Sequence, residues 1–101
     1  MKKDDVVAKL VEIHRDYQRG GGYDDEDKIR PSICPLDGLK GFESDFIPEI
    51  VRRLARDLGN PLPEGTRVKN IYVSQDGKRK LSIEEIAHRF IEAYAGQEAK
   101  T

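Results

Sequence analysis

The sequence lacks the cysteine pairs of disulfide-bonded proteins, the long apolar runs of membrane-spanning proteins and the charge excess of strongly acidic or basic proteins. Tryptophan is absent, and Cys34 is the only cysteine, so no disulfide can form within the chain. No apolar run is long enough to cross a membrane and no signal peptide is evident, so we expect a cytoplasmic protein without stable membrane insertion. Charged residues make up 37% of the chain, but the formal net charge is only −1. This balance provides no general attraction to nucleic acid.

Recognisable catalytic and metal-binding patterns are missing as well. There is no G-x-S-x-G elbow, no phosphate-binding loop and no paired Cys/His spacing. The acidic run 24–27 lacks the glycine and the distant glutamate of an EF-hand loop, which favours a solvated charge cluster. His14 is interpreted as a packing residue, His88 as a surface residue and Cys34 as a small apolar residue. The sequence therefore predicts no catalytic residue, no metal site and no enzymatic activity.

The 101 residues suggest a single domain with a modest hydrophobic core. We expect the ordered core to span about residues 5–96, with a frayed tail at 97–101, and we expect a monomer.

Residues 41–59 form the most informative stretch, because they combine a serine with an amphipathic helix. The helix is predicted to begin at Ser44 or Asp45, with Pro48 in its first turn. Gly59 can end it in the left-handed conformation, and Pro61 prevents its continuation. The apolar side chains recur at helical spacing and predict one buried face: Phe46, Ile47, Ile50, Val51, Leu54 and Leu58.

A first helix is predicted before this stretch, with Asp4 or Asp5 as its cap and the glycines 20–22 at its end. Its buried face contains Val6, Val7, Leu10, Val11, Ile13, His14 and Tyr17. The long connection 23–40 then has four apolar residues that we expect to anchor it to the core: Ile33, Leu36, Leu39 and Phe42.

A β-hairpin and a last helix are predicted after residue 60. Strands 70–74 and 78–82 flank an Asp76-Gly77 pair typical of a two-residue type I′ turn, with Val73 opposite Lys80. Ser82 and Glu85 form a capping box at the start of the last helix, which Gly96 ends. Its buried face is predicted to contain Ile83, Ile86, Ala87, Phe90, Ile91 and Tyr94.

The stretch around the serine resembles the prosthetic-group site and second helix of an acyl carrier protein. Five residues fall at positions matching the family pattern: Gly41, Ser44, Glu49, Leu54 and Gly59. The approach segment 35–44 resembles that of an atypical branch with a β-hairpin before the last helix. The resemblance implies a mainly α fold, an acyl-carrier-like bundle of three main helices with a hairpin between the second and last.

The resemblance also implies a function without catalysis. Ser44 would carry a covalent 4′-phosphopantetheine arm derived from coenzyme A, and acyl intermediates of a specialised biosynthetic pathway would travel on it as thioesters. The implied partners are a phosphopantetheinyl transferase and enzymes that load or transfer acyl groups. Two residues depart from the family pattern: Glu43 replaces an aspartate, and Asp45 replaces a leucine that contacts modifying enzymes.

Two alternatives belong to other classes. The first is an unmodified, carrier-like module that only binds proteins, which Asp45 favours. The second is a small nucleic-acid-binding domain, although basic residues on an edge strand more often prevent sheet aggregation. Its candidate contact residues are Arg67, Lys69, Tyr72, Lys78, Arg79 and Lys80.

Overall fold

The computed structural model describes residues 2–22, 25–39, 42, 44–66, 68, 70–74 and 76–95. These residues are mainly helical. The α-helices are α1 (Lys3–Gly20), a short α2 (Pro35–Gly38), α3 (Ile47–Asp57) and α4 (Ile83–Phe90). Several residues considered above lie outside the described part: Gly41, Glu43, Arg67, Lys69, Gly96 and 97–101.

Helix α1 is present as predicted, but its start differs from the prediction. Lys2 is the N-cap and makes no side-chain capping bond, whereas Asp4 and Asp5 lie inside the first turn. The prediction that Asp4 or Asp5 caps the helix is therefore wrong. Their carboxylates still lie at the positive end of the helix dipole, where negative charge is stabilising.

The connection between α1 and α3 is anchored to α4. It contains a 3₁₀ turn, Asp25–Lys28, and the short α2, neither of which the sequence pattern indicated. Leu39 is buried, and Ile33, Leu36 and Phe42 pack against the core, which confirms the predicted anchors. At the other end, the first N–H groups of α4 donate to carbonyls of this connection, at 2.9 Å to Ile33 and 3.0 Å to Pro31.

Helix α3 ends in a Schellman motif. The Asn60 N–H donates to the Ala55 carbonyl at 2.9 Å, and the Gly59 N–H donates to the Arg56 carbonyl at 3.0 Å. Gly59 has φ +82°, so the predicted left-handed helix end is confirmed. This motif satisfies carbonyls that the helix end would otherwise leave unpaired.

The predicted β-hairpin forms only in part. Val73 and Lys80 make an isolated antiparallel bridge at the predicted register, but no strand is formed within the described residues. The Ser74 carbonyl accepts from the Gly77 N–H at 2.8 Å, which places the turn one residue earlier than predicted. Asp76 does not have positive φ, so the predicted type I′ turn centred on Asp76 and Gly77 is wrong.

The start of α4 follows the prediction. The Glu85 N–H donates to Ser82 Oγ at 3.3 Å, and the Ser82 N–H donates to Glu85 Oε1 at 3.1 Å, which completes the capping box. The bond from the Ser82 N–H to the carboxylate is the largest cause of the lowered pKa of Glu85, and the contact with Arg79 adds to it. Beyond Phe90 the helix continues as a π-helical turn, Ile91–Ala95.

One hydrophobic cluster joins α1, α3 and α4. Residues 71 and 72, which precede the Val73–Lys80 bridge, are also fully buried in it. This arrangement explains how a segment with so few backbone pairs stays attached to the helices. Among the helices described, none combines the length and apolar character needed to cross a bilayer.

Candidate functional site

Ser44 is exposed on a short 3₁₀ turn, Ser44–Phe46, that leads directly into α3. Helical winding thus begins at the predicted residue, but α-helical geometry begins only at Ile47. The N-cap of α3 is Phe46, which makes no side-chain capping bond. Ser44 is therefore not the N-cap of α3, and capping does not occupy its hydroxyl.

Phe46 differs from its prediction. It was expected at the start of the buried stripe, but it is 36% exposed and is the one large exposed hydrophobic residue in the described part. Buried positions on α3 begin at Ile47 instead. The reason is the tighter 3₁₀ turn, which has about three residues per turn and so rotates Phe46 away from the α-helical stripe.

An open groove of about 1030 Å³ lies beside Phe46. It runs along the exposed side of α3, between the C-terminal end of α1 and the segment that follows Gly59. Its apolar surface comes mainly from Tyr17, Phe42, Phe46, Pro61 and Leu62. The Tyr17 ring meets the Phe46 ring edge-on, with centroids 5.7 Å apart, so the groove has an aromatic wall next to the turn that begins at Ser44.

Three arginines line this groove, and they differ in their partners and exposure. Arg53 holds α1 and α3 together, because its Nη2 lies 2.6 Å from Asp16 Oδ2 and its Nε lies 3.5 Å from Asp57 Oδ2. These carboxylates raise the pKa of Arg53, the bond to Asp16 being the largest cause. Arg52 donates to the Thr66 carbonyl at 2.7 Å. The Arg56 side chain is 68% exposed, and among the described residues its carboxylate contact is from Nε to Asp57 Oδ1, at 3.5 Å.

A buried histidine–tyrosine pair lies beneath the groove. His14 Nδ1 is 2.7 Å from the Leu10 carbonyl, and its Nε2 is 2.9 Å from the Tyr72 hydroxyl. A carbonyl only accepts, so Nδ1 carries the proton, Nε2 accepts, and the tyrosine donates. Burial lowers the pKa of His14 to about 4 and raises that of Tyr72 well above its usual value. Phe42 contacts both rings, at centroid distances of 5.4 Å.

Three other serines, Ser32, Ser74 and Ser82, are poorer attachment points than Ser44. Ser74 Oγ donates to Asp76 Oδ1 at 2.5 Å and accepts from the Arg79 N–H at 3.1 Å. Ser82 is engaged in the capping box. Ser32 is exposed, but it lies in a turn of the long connection and is not at the start of a helix. Ser44 therefore combines exposure with a position at the start of a helix.

Three of the candidate nucleic-acid contact residues, Tyr72, Arg79 and Lys80, are buried or paired within the protein. Tyr72 is fully buried, so it cannot stack on a base. Lys80 Nζ lies 2.7 Å from Asp37 Oδ1, and Arg79 Nη2 lies 2.9 Å from Glu85 Oε2.

Cys34 and the acidic side chains form no additional site among the described residues. Cys34 is half-buried, with Sγ 3.9 Å from the Lys80 carbonyl. In the described ranges, no group of three or more His, Cys, Asp or Glu residues is placed to hold a metal ion.

No protein-family model, curated protein or solved structure matches this chain. The features of the site therefore come from the sequence and the geometry alone. Sequence reasoning identified the Ser44 turn but missed the groove and the His14–Tyr72 bond. The groove depends on how the segment after Gly59 returns past α3, and the His14–Tyr72 bond joins residues far apart in the chain. Neither feature therefore has a local sequence pattern.

Proposed function

We propose that this protein is an acyl carrier whose Ser44 bears 4′-phosphopantetheine and serves a specialised biosynthetic pathway. The observation that carries the proposal is the placement of Ser44. It is exposed at the first residue of the turn that enters α3, inside the stretch that resembles the attachment site of acyl carriers. The hydroxyl is thus accessible to a modifying enzyme, while α3 is fixed by its own end motif and by Arg53.

The proposed chemistry needs a hydroxyl and no base from this chain. The Ser44 oxygen attacks the phosphorus of coenzyme A that bears the pantetheine, and adenosine 3′,5′-bisphosphate leaves. The transferase accepts the hydroxyl proton and supplies the metal ion. The product is a phosphodiester with a flexible arm that ends in a thiol, on which an acyl group forms a thioester.

The surroundings of Ser44 suit such a phosphodiester. The first N–H groups of a helix lack intrahelical partners, and the helix dipole favours a nearby anion by roughly 0.3–1 kcal/mol. Pro48 contributes no N–H to this set, and its fixed φ suits the first turn of α3.

The test is mass spectrometry after incubation with coenzyme A and a broad-specificity phosphopantetheinyl transferase. We expect wild type to gain one phosphopantetheine group on the peptide that contains Ser44. Ser44→Ala should gain none, and Ser32→Ala, which removes another exposed serine, should be modified like wild type. Because Ser44 does not cap α3, Ser44→Ala should change the free energy of unfolding by less than about 0.5 kcal/mol.

One outcome would favour the second candidate function, an unmodified module that binds proteins. Asp45, adjacent to Ser44, and the groove with its exposed Phe46 both support this candidate. If wild type gains no phosphopantetheine with several transferases, the carrier proposal fails. If Ser44→Ala is still modified, the carrier proposal survives with a different serine.

A further inference from the structure

We propose that the groove along α3 is a docking site for a partner protein, which presents an acidic amphipathic helix. Phe46 is the central contact, and Arg52 and Arg56 bind the carboxylates. This inference is independent of the arm on Ser44, because Ser44 does not line the groove and docking requires no modification.

The apolar part of the proposal rests on Phe46. An aromatic ring that is 36% exposed, beside a groove with further aromatic and proline surface, leaves apolar area in contact with water. Aromatic side chains, including Phe, are enriched at protein interfaces, where a few buried residues dominate the binding energy. The ring is also held in place by Tyr17 and Phe42, with centroid distances of 5.7 and 6.4 Å, so little freedom is lost on binding.

The charged part rests on the difference between the arginines. Arg53 is committed to Asp16 inside the protein. Arg52 donates a hydrogen bond to a neutral carbonyl and so keeps its full positive charge. The Arg56 side chain is more exposed than that of Arg53, at 68% against 28%. Arg52 and Arg56 lie one helical turn apart, with Cβ atoms about 5–6 Å from each other. Two carboxylates at positions i and i+4 of a partner helix have the same spacing.

The same pattern makes other polyanions poor occupants. A nucleic-acid backbone or an anionic membrane surface requires a larger basic patch, typically four or more cations. Here Arg53 is paired with Asp16, and Glu49 adds a negative charge to the same groove, so a continuous run of phosphates would meet too few cations. A helix with an apolar stripe and a few carboxylates can place its acidic residues beside Arg52 and Arg56 alone.

The experiment is a selection from a library of random peptides displayed on phage, with the immobilised full-length protein as bait. We expect the enriched peptides to combine Phe, Leu or Ile with Asp or Glu at helical spacing. Their dissociation constants are then measured by fluorescence anisotropy. Phe46→Ala and Arg56→Glu should each weaken binding by about tenfold or more, as the loss of a dominant interface residue does. Arg15→Glu, on an exposed position of α1 outside the groove, is the matched control and should bind like wild type.

Several outcomes would overturn the inference. Enrichment of basic peptides would reverse the proposed charge, and equal binding by wild type and Phe46→Ala would exclude the groove. If no peptide is enriched but dodecanoate displaces the fluorescent probe 8-anilinonaphthalene-1-sulfonate, the groove binds small amphiphiles instead. If a labelled oligonucleotide binds wild type and not Arg56→Glu, the occupant is nucleic acid. None of these results depends on whether Ser44 accepts phosphopantetheine, so the two proposals can fail separately.

Discussion

At the scale of single residues, His14 combines full burial with two hydrogen bonds that fix its neutral form. Protonation would add a charge to a site that contains no carboxylate partner among the described residues and where Nε2 already accepts from Tyr72. Burial accordingly lowers the pKa of His14 to about 4, against an ordinary value of 6.5. The unfolded chain therefore binds a proton more readily than the folded protein does between these two values.

This difference predicts that stability falls as the pH is lowered from about 6.5 towards 4. The contribution of His14 is fully present above pH 6.5 and is lost progressively below it, by an amount of the order of 3 kcal/mol. The measurement is the urea-unfolding free energy as a function of pH. Asp76 and Glu85, whose pKa values are lowered by hydrogen bonds, add their own dependence at lower pH, so the informative quantity is a difference between variants.

The matched variants are His14→Gln and His88→Gln. Removing the buried histidine should flatten the curve between pH 6.5 and 4 relative to wild type. His88→Gln is the control for the loss of an exposed histidine, since the His88 side chain on α4 is 65% exposed. A His14→Gln curve parallel to that of wild type would contradict the assigned burial and bonding of His14.

At the scale of elements, two glycines at helix ends separate the effect of backbone conformation from that of helix propensity. Gly59 has φ +82° in the Schellman motif of α3, whereas Gly20 is a helical residue of α1 without positive φ. An added Cβ meets no atom within 4 Å at either position, so packing does not separate them. Any difference between their alanine variants therefore reports the backbone conformation.

We expect Gly59→Ala to destabilise the protein by about 1 kcal/mol, since a left-handed conformation is unfavourable with a Cβ. Gly20→Ala should stabilise it by up to about 1 kcal/mol, because alanine has the higher helix propensity. Urea denaturation measures both. Changes of the same sign would contradict the assigned end of α3.

The turn between residues 74 and 80 gives a second prediction at this scale. Gly77 has φ +75°, and Asp76 Oδ1 accepts from both Ser74 Oγ and the Lys78 N–H, at 2.5 and 3.0 Å. A β-branched residue resists positive φ, so Gly77→Val should destabilise the protein by roughly 1–2 kcal/mol. The change in melting temperature, with amide exchange at Leu81 as a local readout, checks this. An unchanged melting temperature would contradict the turn geometry.

The local patterns explain which elements were predictable. Ser82 and Glu85 determine a helix start through bonds between near neighbours, and Gly59 determines a helix end through its own backbone, so both followed from sequence. Phe46 did not, because its exposure depends on whether residues 44–46 wind as a 3₁₀ or an α-helical turn. The strands at 70–82 were over-predicted because alternation and an Asp-Gly pair do not reveal how far pairing extends. Backbone bonds join Leu81 to Tyr72 and Ser74 to Arg79, and burial of Ile71 and Tyr72 holds the rest of the segment.

At the scale of the whole molecule, α1, α3 and α4 supply the common core, and the groove runs along α3 from the turn that begins at Ser44. Arg53 ties this region to α1 through Asp16, while α4 is tied to the long connection by its first N–H groups. The sequence indicated the three helices and the exposed serine. It could not indicate the groove, whose walls come from α1, α3 and the segment after α3, or the contact of His14 with Tyr72.

The most direct test of the carrier proposal is the intact mass of the protein purified from its native host, followed by peptide sequencing in the mass spectrometer. We expect a mass that exceeds the chain by one phosphopantetheine group, free or acylated, located on Ser44. A native protein that carries no such group on Ser44 would show that the proposed function is wrong.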